Sequence, residues 1–355
     1  MLRRTGRGRG IILGDVLKVV ELFAGIGTQR MALKVLDIKH KVVAMSEIDK
    51  YAIQSYNLIH GETPNLGDVS KIVPSEVPDC DLLTYSFPCT NCSVSGNQEG
   101  LQEGSGTASS LLWYCKGIIE AKKPKYLLME NVKNLLGKNH YKYFQEWCNV
   151  LESFGYTHYY KVLNAKHYGV PQNRERVFMV SILGEHEPYQ FPDLEDVSTC
   201  IEDILESNPD KKYYLAEDNK KKFIENLKEA GLETALEKIN STEKSTQTVN
   251  IGNMYNNKYD SQAGRIYGRN GVAPTLSTMN GGNRQPKIIE GKFDPDNIDS
   301  FELRKLTPLE CWRLMGINDF DYAKVKDVMS DTQLYKQAGN AIVVDVLVEI
   351  FKNLF

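Results

Sequence analysis

The sequence predicts an α/β protein that combines a mostly parallel, Rossmann-like sheet, covered by helices on both faces, with a smaller irregular domain. Short β-branched runs alternate with longer amphipathic stretches through the first two-fifths of the chain, and a Gly-containing turn follows the first run. Strands that alternate with helices form parallel sheets, because each crossover helix packs back on a sheet face. Beyond Gly184 this alternation stops and the composition becomes polar, which indicates the second domain.

Each predicted element follows from its own residue pattern. β-Branched and apolar runs are typical of buried strands, and amphipathic spacing is typical of helices. The predicted strands cover residues 16–22, 41–46, 81–86, 126–129 and 177–182. The predicted helices cover residues 28–36, 50–60, 109–121, 197–205 and 219–239. The apolar residues 337–355 are expected to form a helix, or a strand followed by a helix.

Length and composition exclude several classes of protein. The chain has 355 residues, of which 41% are hydrophobic and 25% are charged, so collagen-like, coiled-coil and disordered classes are excluded and two or three domains are expected. No run approaches the roughly 18 apolar residues of a membrane span, so no membrane association is expected. The net charge of −3 gives no indication of a nucleic-acid partner.

The tail and the cysteines indicate a cytoplasmic protein. Residues 1–14 are interpreted as a flexible basic tail, because residues 11–13 are too short for the apolar core of a signal peptide. Seven cysteines, an odd number, then suggest reduced thiols. Cys89 and Cys92 form a CxxC, but without a second CxxC or a nearby His pair no metal site is expected. A redox-active pair formed by Cys89 and Cys92 is a minor alternative.

Charge is distributed unevenly in the second domain. Residues 185–249 contain 16 acidic and 8 basic side chains, whereas residues 250–292 contain six basic and two acidic ones. The second segment is also rich in Gly, Asn and Thr, which suits exposed loops and short strands that contact a polyanion. A solvated insertion explains the composition equally well.

The residues that follow the strands are the first candidates for a ligand site, because ligands bind at the carboxyl ends of parallel strands. Those residues are Phe23 to Gly27, Glu47, Pro88, Cys89, Glu130 and Asn131. The first loop is not GxGxxG, since Arg30 stands where the third Gly would fall, and this argues against a dinucleotide. An acidic residue such as Glu47 could bind two ribose hydroxyls. A site for a ribose-containing cofactor without a pyrophosphate therefore explains the first loop and Glu47 together better than a tight turn and a surface carboxylate that bind no ligand.

Four side chains could carry chemistry. A thiol at the sheet edge, as at Cys89, can be biased toward thiolate, although a buried structural cysteine is equally plausible. The Glu130 carboxyl could donate a proton, or it could be a helix-start carboxylate bonded to backbone N–H groups. Strand alternation places Arg174 and Arg176 on one face, where they could hold an anion or a carbonyl oxygen. Taken alone, a surface ion-pair ladder with Glu175 is the favoured interpretation of these arginines.

Together these residues resemble the DNA (cytosine-5) methyltransferase family of bacteria and phages, from about Lys18 to the C-terminus. Eight motifs occur in the family's order, which makes the resemblance specific. They cover residues 21–27, 47, 67–69, 86–89, 129–132, 172–176, 304–311 and 337–341. The resemblance implies a Rossmann-like, S-adenosylmethionine-dependent catalytic domain over residues 15–184 plus 335–355. It also implies a target-recognition domain with a hinge over residues 185–334.

The resemblance implies a role for each catalytic candidate. Cys89 matches the thiol that adds to C6 of a cytosine flipped out of the duplex, after which the methyl group passes to C5. Glu130 matches the carboxylate that contacts N3 and the exocyclic amine. Arg176 matches the residue that contacts O2, and Arg174 a neighbour that supports the site and the nearby backbone.

The resemblance also implies binding residues and partners. The residues matched to S-adenosylmethionine are Phe23, Gly25, Gly27, Glu47, Ile48, Asp68, Val69, Pro88 and Asn340. The residues matched to double-stranded DNA are Arg265, Arg269, Thr275 and Arg284. The protein is expected to be a monomer, with a cognate restriction endonuclease as a possible partner in a restriction-modification system.

Three alternatives are open at this point. A transfer-RNA cytosine-5 methyltransferase has the same fold, but its characteristic Cys-Phe-Thr tripeptide is absent from this sequence. A catalytically weakened DNA-binding relative is disfavoured because Cys89, Glu130 and Arg176 are all present. A redox protein that uses Cys89 and Cys92 leaves the C-terminal Asn340 segment without a role.

Overall fold

The computed structural model describes residues 16–88, 101–194, 198–255 and 262–355. Two compact units make up the chain. The first contains Met1–Leu163, Glu175–Asp193 and Val346–Phe355, and the second contains Asn164–Arg174 and Leu194–Asp345. Within the described ranges, no helix is both long and apolar enough to cross a membrane.

Three sheets are formed by the strands of the described residues. These strands are β1 (Leu17–Leu22), β2 (His40–Ser46), β3 (Leu82–Tyr85), β4 (Tyr126–Val132), β5 (Tyr156–Asn164), β6 (Gln172–Asn173), β7 (Glu175–Leu183), β8 (Asn250–Asn253), β9 (Arg265–Tyr267), β10 (Ala273–Pro274), β11 (Lys287–Gly291) and β12 (Phe301–Lys305). A six-stranded sheet has the order β2-β1-β3-β4-β7-β5, a four-stranded sheet has the order β12-β11-β9-β8, and β6 pairs with β10. Strands β2, β1, β3 and β4 are parallel neighbours, as predicted, whereas β7 runs antiparallel to β4.

The α-helices of the described residues alternate with strands in the first unit and cluster in the second. They are α1 (Thr28–Val35), α2 (Lys50–His60), α3 (Leu112–Lys122), α4 (Tyr141–Ser153), α5 (Glu217–Ala230), α6 (Leu232–Asn240), α7 (Pro308–Arg313), α8 (Asp319–Ala323), α9 (Asp331–Asn340) and α10 (Val344–Leu354). The α/β fold class predicted from the sequence is confirmed by this alternation and by the solved structures described below.

Two predicted helices differ from those observed. The helix expected over residues 219–239 is interrupted at Gly231, whose φ of 113° is poorly tolerated by residues with a side chain, so two helices form there. Within the described part of the segment predicted over 197–205, only a short 3₁₀ turn forms, at Ile201–Ile204.

The core of the first unit holds the sheet rigid beneath its carboxyl edge. Strand β4 is buried along nearly its whole length. The indole N–H of Trp147 on α4 donates to the hydroxyl of Tyr85 at 3.0 Å, and the Trp113 ring packs edge-on against Trp147 at 5.8 Å. A buried indole and hydroxyl that satisfy each other fix the strand end without an unpaired polar atom.

The division into units differs from the predicted domains in three segments. Residues 185–193, predicted to begin the target-recognition domain, belong to the first unit. Residues 164–174 and 335–345 were assigned to the catalytic domain by sequence, but they belong to the second unit. The reason is a buried guanidinium: Arg174 donates to the carbonyl oxygens of Leu276, Gly339 and Ala341 at 2.9–3.0 Å. The functional roles of the two units stay predictions.

The second unit is built around the four-stranded sheet and helices α5 and α6. Phe223 and Leu227 of α5 pack with Ile266, Phe301 and Leu303 of the sheet. Strand β11 runs antiparallel to β12 and parallel to β9. This sheet therefore fixes the relative positions of the loops that lead into β9 and β11.

Candidate functional site

The carboxyl ends of four parallel strands form one edge of the first unit, as the βαβ pattern predicted. The loop after β1 is tied to the end of β2 by a bond from the Ala24 N–H to the Ser46 carbonyl, at 3.0 Å. The segment before Asp68 is tied to the same strand, because the Leu66 N–H donates to the Met45 carbonyl at 2.7 Å. The predicted cofactor residues of the first unit therefore belong to segments joined along this edge.

The loop after β1 has an unusual backbone. Phe23, Gly25 and Gly27 have φ angles of 56°, 56° and 77°. A Cβ atom at Gly25 would meet no atom within 4 Å, whereas one at Gly27 would lie 2.6 Å from ring atoms of Tyr56 and His60. Gly27 is thus required by close packing on α2, and Gly25 leaves open space beside the loop in which a ligand can lie. The strained φ of Phe23 is of the kind that concentrates at binding sites.

A Gly27→Ala variant is expected to bind S-adenosylmethionine at least about tenfold more weakly, because the methyl group displaces Tyr56 or His60 and the loop with them. Isothermal titration with the cofactor measures this. Gly61→Ala is the control, since Gly61 has a similar φ of 83° but a Cβ there meets nothing within 4 Å. Equal cofactor affinity in the two variants would contradict the packing argument.

Glu47 is held in place between the ends of β1 and β2. Its carboxylate accepts the Gly25 N–H on one oxygen, at 2.8 Å, and the N–H groups of Ile48 and Asp49 on the other, at 2.8 and 2.9 Å. An ionised carboxylate has about four acceptor positions, so it can still receive hydroxyl groups. The Ile48 side chain beside it is 72% exposed. The geometry of this carboxylate is compatible with binding of ribose hydroxyls, and that role stays a prediction.

Asp68 and Val69 follow the segment that pairs with β2. The Asp68 carboxylate accepts the hydroxyl and the backbone N–H of Ser70, at 2.7 and 3.0 Å, and these bonds lower its pKa below the usual value. Its ionised form is an acceptor suited to an amino group. Val69 is buried in the adjoining core. The residues at this edge therefore fit a cofactor with ribose and adenine parts.

A buried carboxyl group lies at the end of β1, directly before the loop. Glu21 is completely buried and accepts the hydroxyl of Tyr56 at 2.6 Å. Burial raises the pKa of Glu21 to about 7. The sequence interpretation gave this residue no role, although an acidic side chain at the end of an apolar run is the signal that could have found it. Through Tyr56 it connects the strand end to the helix that packs against Gly27.

Two buried side chains hold the backbone that leads to Cys89. The Asn131 amide donates to the Phe87 carbonyl at 3.1 Å, and the Ser109 hydroxyl donates to the Pro88 carbonyl at 3.1 Å. Cys89 itself lies outside the described residues. The sequence placed Asn131 only near a ligand site and gave Ser109 no role, because nothing local indicates bonds between residues 44 and 21 positions apart.

The structure brings Glu130 and Arg176 together. They lie on the neighbouring antiparallel strands β4 and β7, and the Nε atom of Arg176 is 3.2 Å from a carboxylate oxygen of Glu130. In place of the predicted ladder of Arg174, Glu175 and Arg176, the Glu175 carboxylate pairs with Lys133 at 3.0 Å and the Arg176 guanidinium pairs with Glu130. A carboxylate and a guanidinium side by side can contact adjacent polar atoms of one planar base.

Arg174 and Asn340 lie in the second unit. Arg174 precedes β7, and its guanidinium holds backbone carbonyls rather than lying open to a ligand. Asn340 is exposed at the end of α9. A Cβ at its neighbour Gly339 would overlap the Ser277 carbonyl oxygen, so glycine there permits close backbone packing. Arg174 is thus a support for this packing.

The four predicted DNA-binding residues fall in different places within the second unit. Thr275 and Arg284, both exposed, line one shallow cleft, where the Thr275 hydroxyl donates to the Asn173 carbonyl at 2.6 Å. Arg265 is half-buried on β9. Arg269 pairs with Glu202 and lines a separate cavity of about 360 Å³. The structure therefore brings two of the four together and pairs a third with a carboxylate.

Comparisons with known protein sequences identify the family. The family model described as C-5 cytosine-specific DNA methylase matches residues 17–355. The Type II methyltransferase M2.ScrFI of Lactococcus lactis subsp. cremoris is 36% identical, over 96% of this chain and 99% of the relative. The Type II methyltransferase M.HhaI of Haemophilus parahaemolyticus is 33% identical, over 95% and 94%. The Orphan methyltransferase M.SPBetaI of Bacillus phage SPbeta is 31% identical, over 95% and 97%.

Solved structures share the fold. The Dnmt2 methyltransferase of S. pombe superimposes with a TM-score of 0.69 at 20% identity, covering 96% of this chain and 98% of that one. A putative DNA modification methyltransferase from an E. coli prophage superimposes with a TM-score of 0.63 at 17% identity, covering 95% and 98%. At such identities the likeness concerns the fold alone.

Proposed function

The chain belongs to the C-5 cytosine-specific DNA methylase family, and we propose that Cys89, Glu130 and Arg176 carry out its reaction. The protein is a DNA (cytosine-5-)-methyltransferase that uses S-adenosylmethionine and methylates DNA in a sequence-specific manner. The observation that supports the residue assignment is the Glu130–Arg176 pair, 3.2 Å apart at the edge where the cofactor residues also lie.

The proposed reaction assigns one task to each of these side chains. The Cys89 thiolate adds to C6 of a cytosine flipped out of the duplex, which turns C5 into a nucleophilic carbon. Glu130 contacts N3 and the exocyclic amine, and Arg176 contacts O2, where negative charge develops. When bound, S-adenosylmethionine supplies an electrophilic methyl group on its sulfonium sulfur. A base then removes the C5 proton, and the bond between C6 and the Cys89 sulfur breaks to release the thiolate.

The cofactor is proposed to lie along the edge formed by β2, β1 and β3. Glu47 binds the ribose hydroxyls, and Asp68 accepts the adenine amino group. The remaining proposed contacts are Phe23, Gly25, Gly27, Ile48, Val69, Pro88 and Asn340. The open space at Gly25 and the fixed carboxylate of Glu47 support this assignment.

Double-stranded DNA is proposed to contact the second unit through Arg265, Arg269, Thr275 and Arg284. The shared cleft of Thr275 and Arg284 supports this, because a hydroxyl and an exposed guanidinium are suited to phosphates and base edges. Arg174 is proposed as a support for this surface rather than a group that touches the base.

We further propose a monomer that acts in the cytoplasm, with a cognate restriction endonuclease as a partner by analogy with the type II relatives.

A duplex that contains 5-fluorocytosine tests the proposal. With fluorine at C5, the methylated adduct has no C5 proton for a base to remove, so the bond to the thiol cannot break. The protein should therefore remain covalently attached to DNA when cofactor is added. Peptide mapping should place the bond at Cys89. Wild-type protein that forms no adduct on a large mixed-sequence substrate would contradict the enzymatic mechanism. A Cys89→Ser variant that still methylates would overturn the choice of nucleophile. An adduct on transfer RNA but not on DNA would change the substrate to RNA.

A further inference from the structure

An unusual lysine lies in the second unit. Lys287, the first residue of β11, is completely buried. Its Nζ atom donates to three backbone carbonyl oxygens, those of Ala263, Asn283 and Gln285, at 2.7, 2.6 and 2.9 Å. Three acceptors match the three N–H donors of an ammonium group. A buried cation is costly, and here carbonyl dipoles offset that cost where a carboxylate would be the usual partner.

The three carbonyls belong to the segments that carry two of the proposed DNA-binding arginines. Ala263 precedes Arg265 by two residues, and Asn283 and Gln285 flank Arg284. The side chain of Lys305, which lies opposite Lys287 in the β11–β12 register, donates to the Asn283 side-chain oxygen at 2.9 Å. One ammonium group thus joins two segments that are about twenty residues apart in sequence.

We propose that Lys287 is a positioning residue for DNA recognition: its ammonium group fixes the segment before Arg265 and the loop around Arg284 in one arrangement. This inference rests on the proposed function of those two arginines. Lys287 does not itself touch DNA, because its side chain is buried and its three donors are already used. Its effect on binding passes through the loop backbone.

The charges around Lys287 make this arrangement sensitive to pH. Burial and the neighbouring charge of Lys305 lower the pKa of Lys287 to about 7. Arg265, which adjoins its register partner on β9, and Arg284 in the preceding loop add positive charge. Glu290, farther along β11, is engaged by Arg304 and Tyr214. Residues 194–345 contain no histidine, so no imidazole of this segment titrates in the same range.

The direction of the pH dependence follows from the linkage between protonation of Lys287 and DNA binding. A neutral Lys287 has two donors for three carbonyls, so deprotonation removes one of the three bonds and weakens the link between the two segments. Bound DNA is a polyanion that favours the ammonium form and raises the pKa of Lys287 in the complex. DNA affinity should therefore be highest below pH ~7 and fall as the pH rises through the pKa of the free protein, by up to about tenfold for each unit between the free and bound pKa values.

Lys287→Met keeps the length of the side chain and removes its donors. The probe is a fluorescent duplex fragment that the wild type methylates, titrated at constant ionic strength between about pH 6.5 and 8.5. The variant is expected to bind at least about tenfold more weakly than the wild type at the lower pH, and with little pH dependence. Cofactor affinity should change less than about twofold, because all the proposed cofactor contacts except Asn340 lie in the first unit. Lys292→Met, an exposed change directly after the same strand, should bind DNA as the wild type does.

The outcomes separate this inference from the proposed function. If Lys287→Met binds the fragment as tightly as the wild type and with the same pH profile, the positioning role is wrong while methylation by the wild type still stands. If the wild type forms no covalent adduct with a 5-fluorocytosine duplex, the proposed function itself fails. Should Lys287→Met not fold, the wild-type pH series decides, and an affinity independent of pH overturns the proposal.

Discussion

A Glu130→Gln variant is expected to methylate DNA about a hundredfold to ten-thousandfold more slowly than the wild type, the range typical of losing a general acid. Glutamine keeps the shape of the side chain but cannot share a proton with N3 of the base. It also removes the anionic partner that lies 3.2 Å from the Arg176 guanidinium, so the second contact to the base becomes less well placed. Single-turnover methyl transfer from labelled S-adenosylmethionine measures the rate without interference from product release.

Glu175→Gln is the matched control for this experiment. Glu175 begins the same strand as Arg176, but its carboxylate pairs with Lys133 on an exposed surface, so its loss should change the rate less than about twofold. The duplex dissociation constant should stay near the wild-type value for Glu175→Gln. It should change far less than the rate for Glu130→Gln, because most of the proposed duplex contacts lie in the second unit. Wild-type turnover by Glu130→Gln would remove Glu130 from the reacting site, whatever the fate of the Cys89 assignment.

The carboxyl edge of the sheet could be predicted because its signals are local. A β-branched run followed by small residues or a lone carboxylate marks a strand end, and parallel pairing then places such ends along one edge. For this reason the sequence could place Glu47 directly after β2 and Glu130 near the carboxyl end of β4, although β4 continues to Val132 rather than ending at Met129. The contact between Glu130 and Arg176 could not be found in this way, because it depends on β7 running antiparallel beside β4.

Contacts between distant segments account for what the sequence could not predict. The Gln172 amide donates to the Leu314 carbonyl across 142 residues and accepts the Leu276 N–H. Together with the Arg174 guanidinium, these bonds draw residues 164–174 into the second unit. The sequence around Gln172 and Arg174 contains no pattern that predicts which distant carbonyl groups they bind. Domain boundaries set by such bonds therefore differ from boundaries drawn at a change in composition.

Long-range contacts also change how much of the positive charge in residues 250–292 is available to a partner. The sequence separates an acidic segment, 185–249, from a basic one, 250–292. In the structure Glu202 of the acidic segment pairs with Arg269 of the basic one. Part of the positive charge expected to face a polyanion is therefore neutralised within the unit. The exposed Arg284, in the cleft with Thr275, is the better candidate for a direct DNA contact.

Arg304→Met is expected to destabilise the second unit by about 3–5 kcal/mol, the usual consequence of breaking a buried ion pair by removing one partner. The Arg304 guanidinium forms two bonds to the Glu310 carboxylate, at 2.7 and 2.8 Å, and both side chains are completely buried. Glu310 also accepts the N–H groups of Thr307 and Glu206. Without the guanidinium, a charged carboxylate stays buried against two amides that offset only part of its lost hydration.

Hydrogen–deuterium exchange can locate this loss, since a chain with two units need not unfold in one step. Peptides from β11 and β12 should exchange faster in Arg304→Met, while peptides from β1 and β3 of the first unit should be unaffected. Asp319→Asn is the control, because it removes an ion pair to Arg313 that is largely exposed and worth less than about 1 kcal/mol.

The double variant Arg304→Met/Glu310→Gln separates the charge from the packing. It replaces the stranded carboxylate with a neutral amide that can still accept from the backbone N–H groups, so it should be more stable than Arg304→Met alone. Recovery by the second change would show that the cost of the first is an unpaired buried charge. A double variant at least as unstable as the single one would instead assign the cost to lost packing around Arg304 or to its lost bond to Glu290, and the pair with Glu310 would no longer explain how β12 is held to α7.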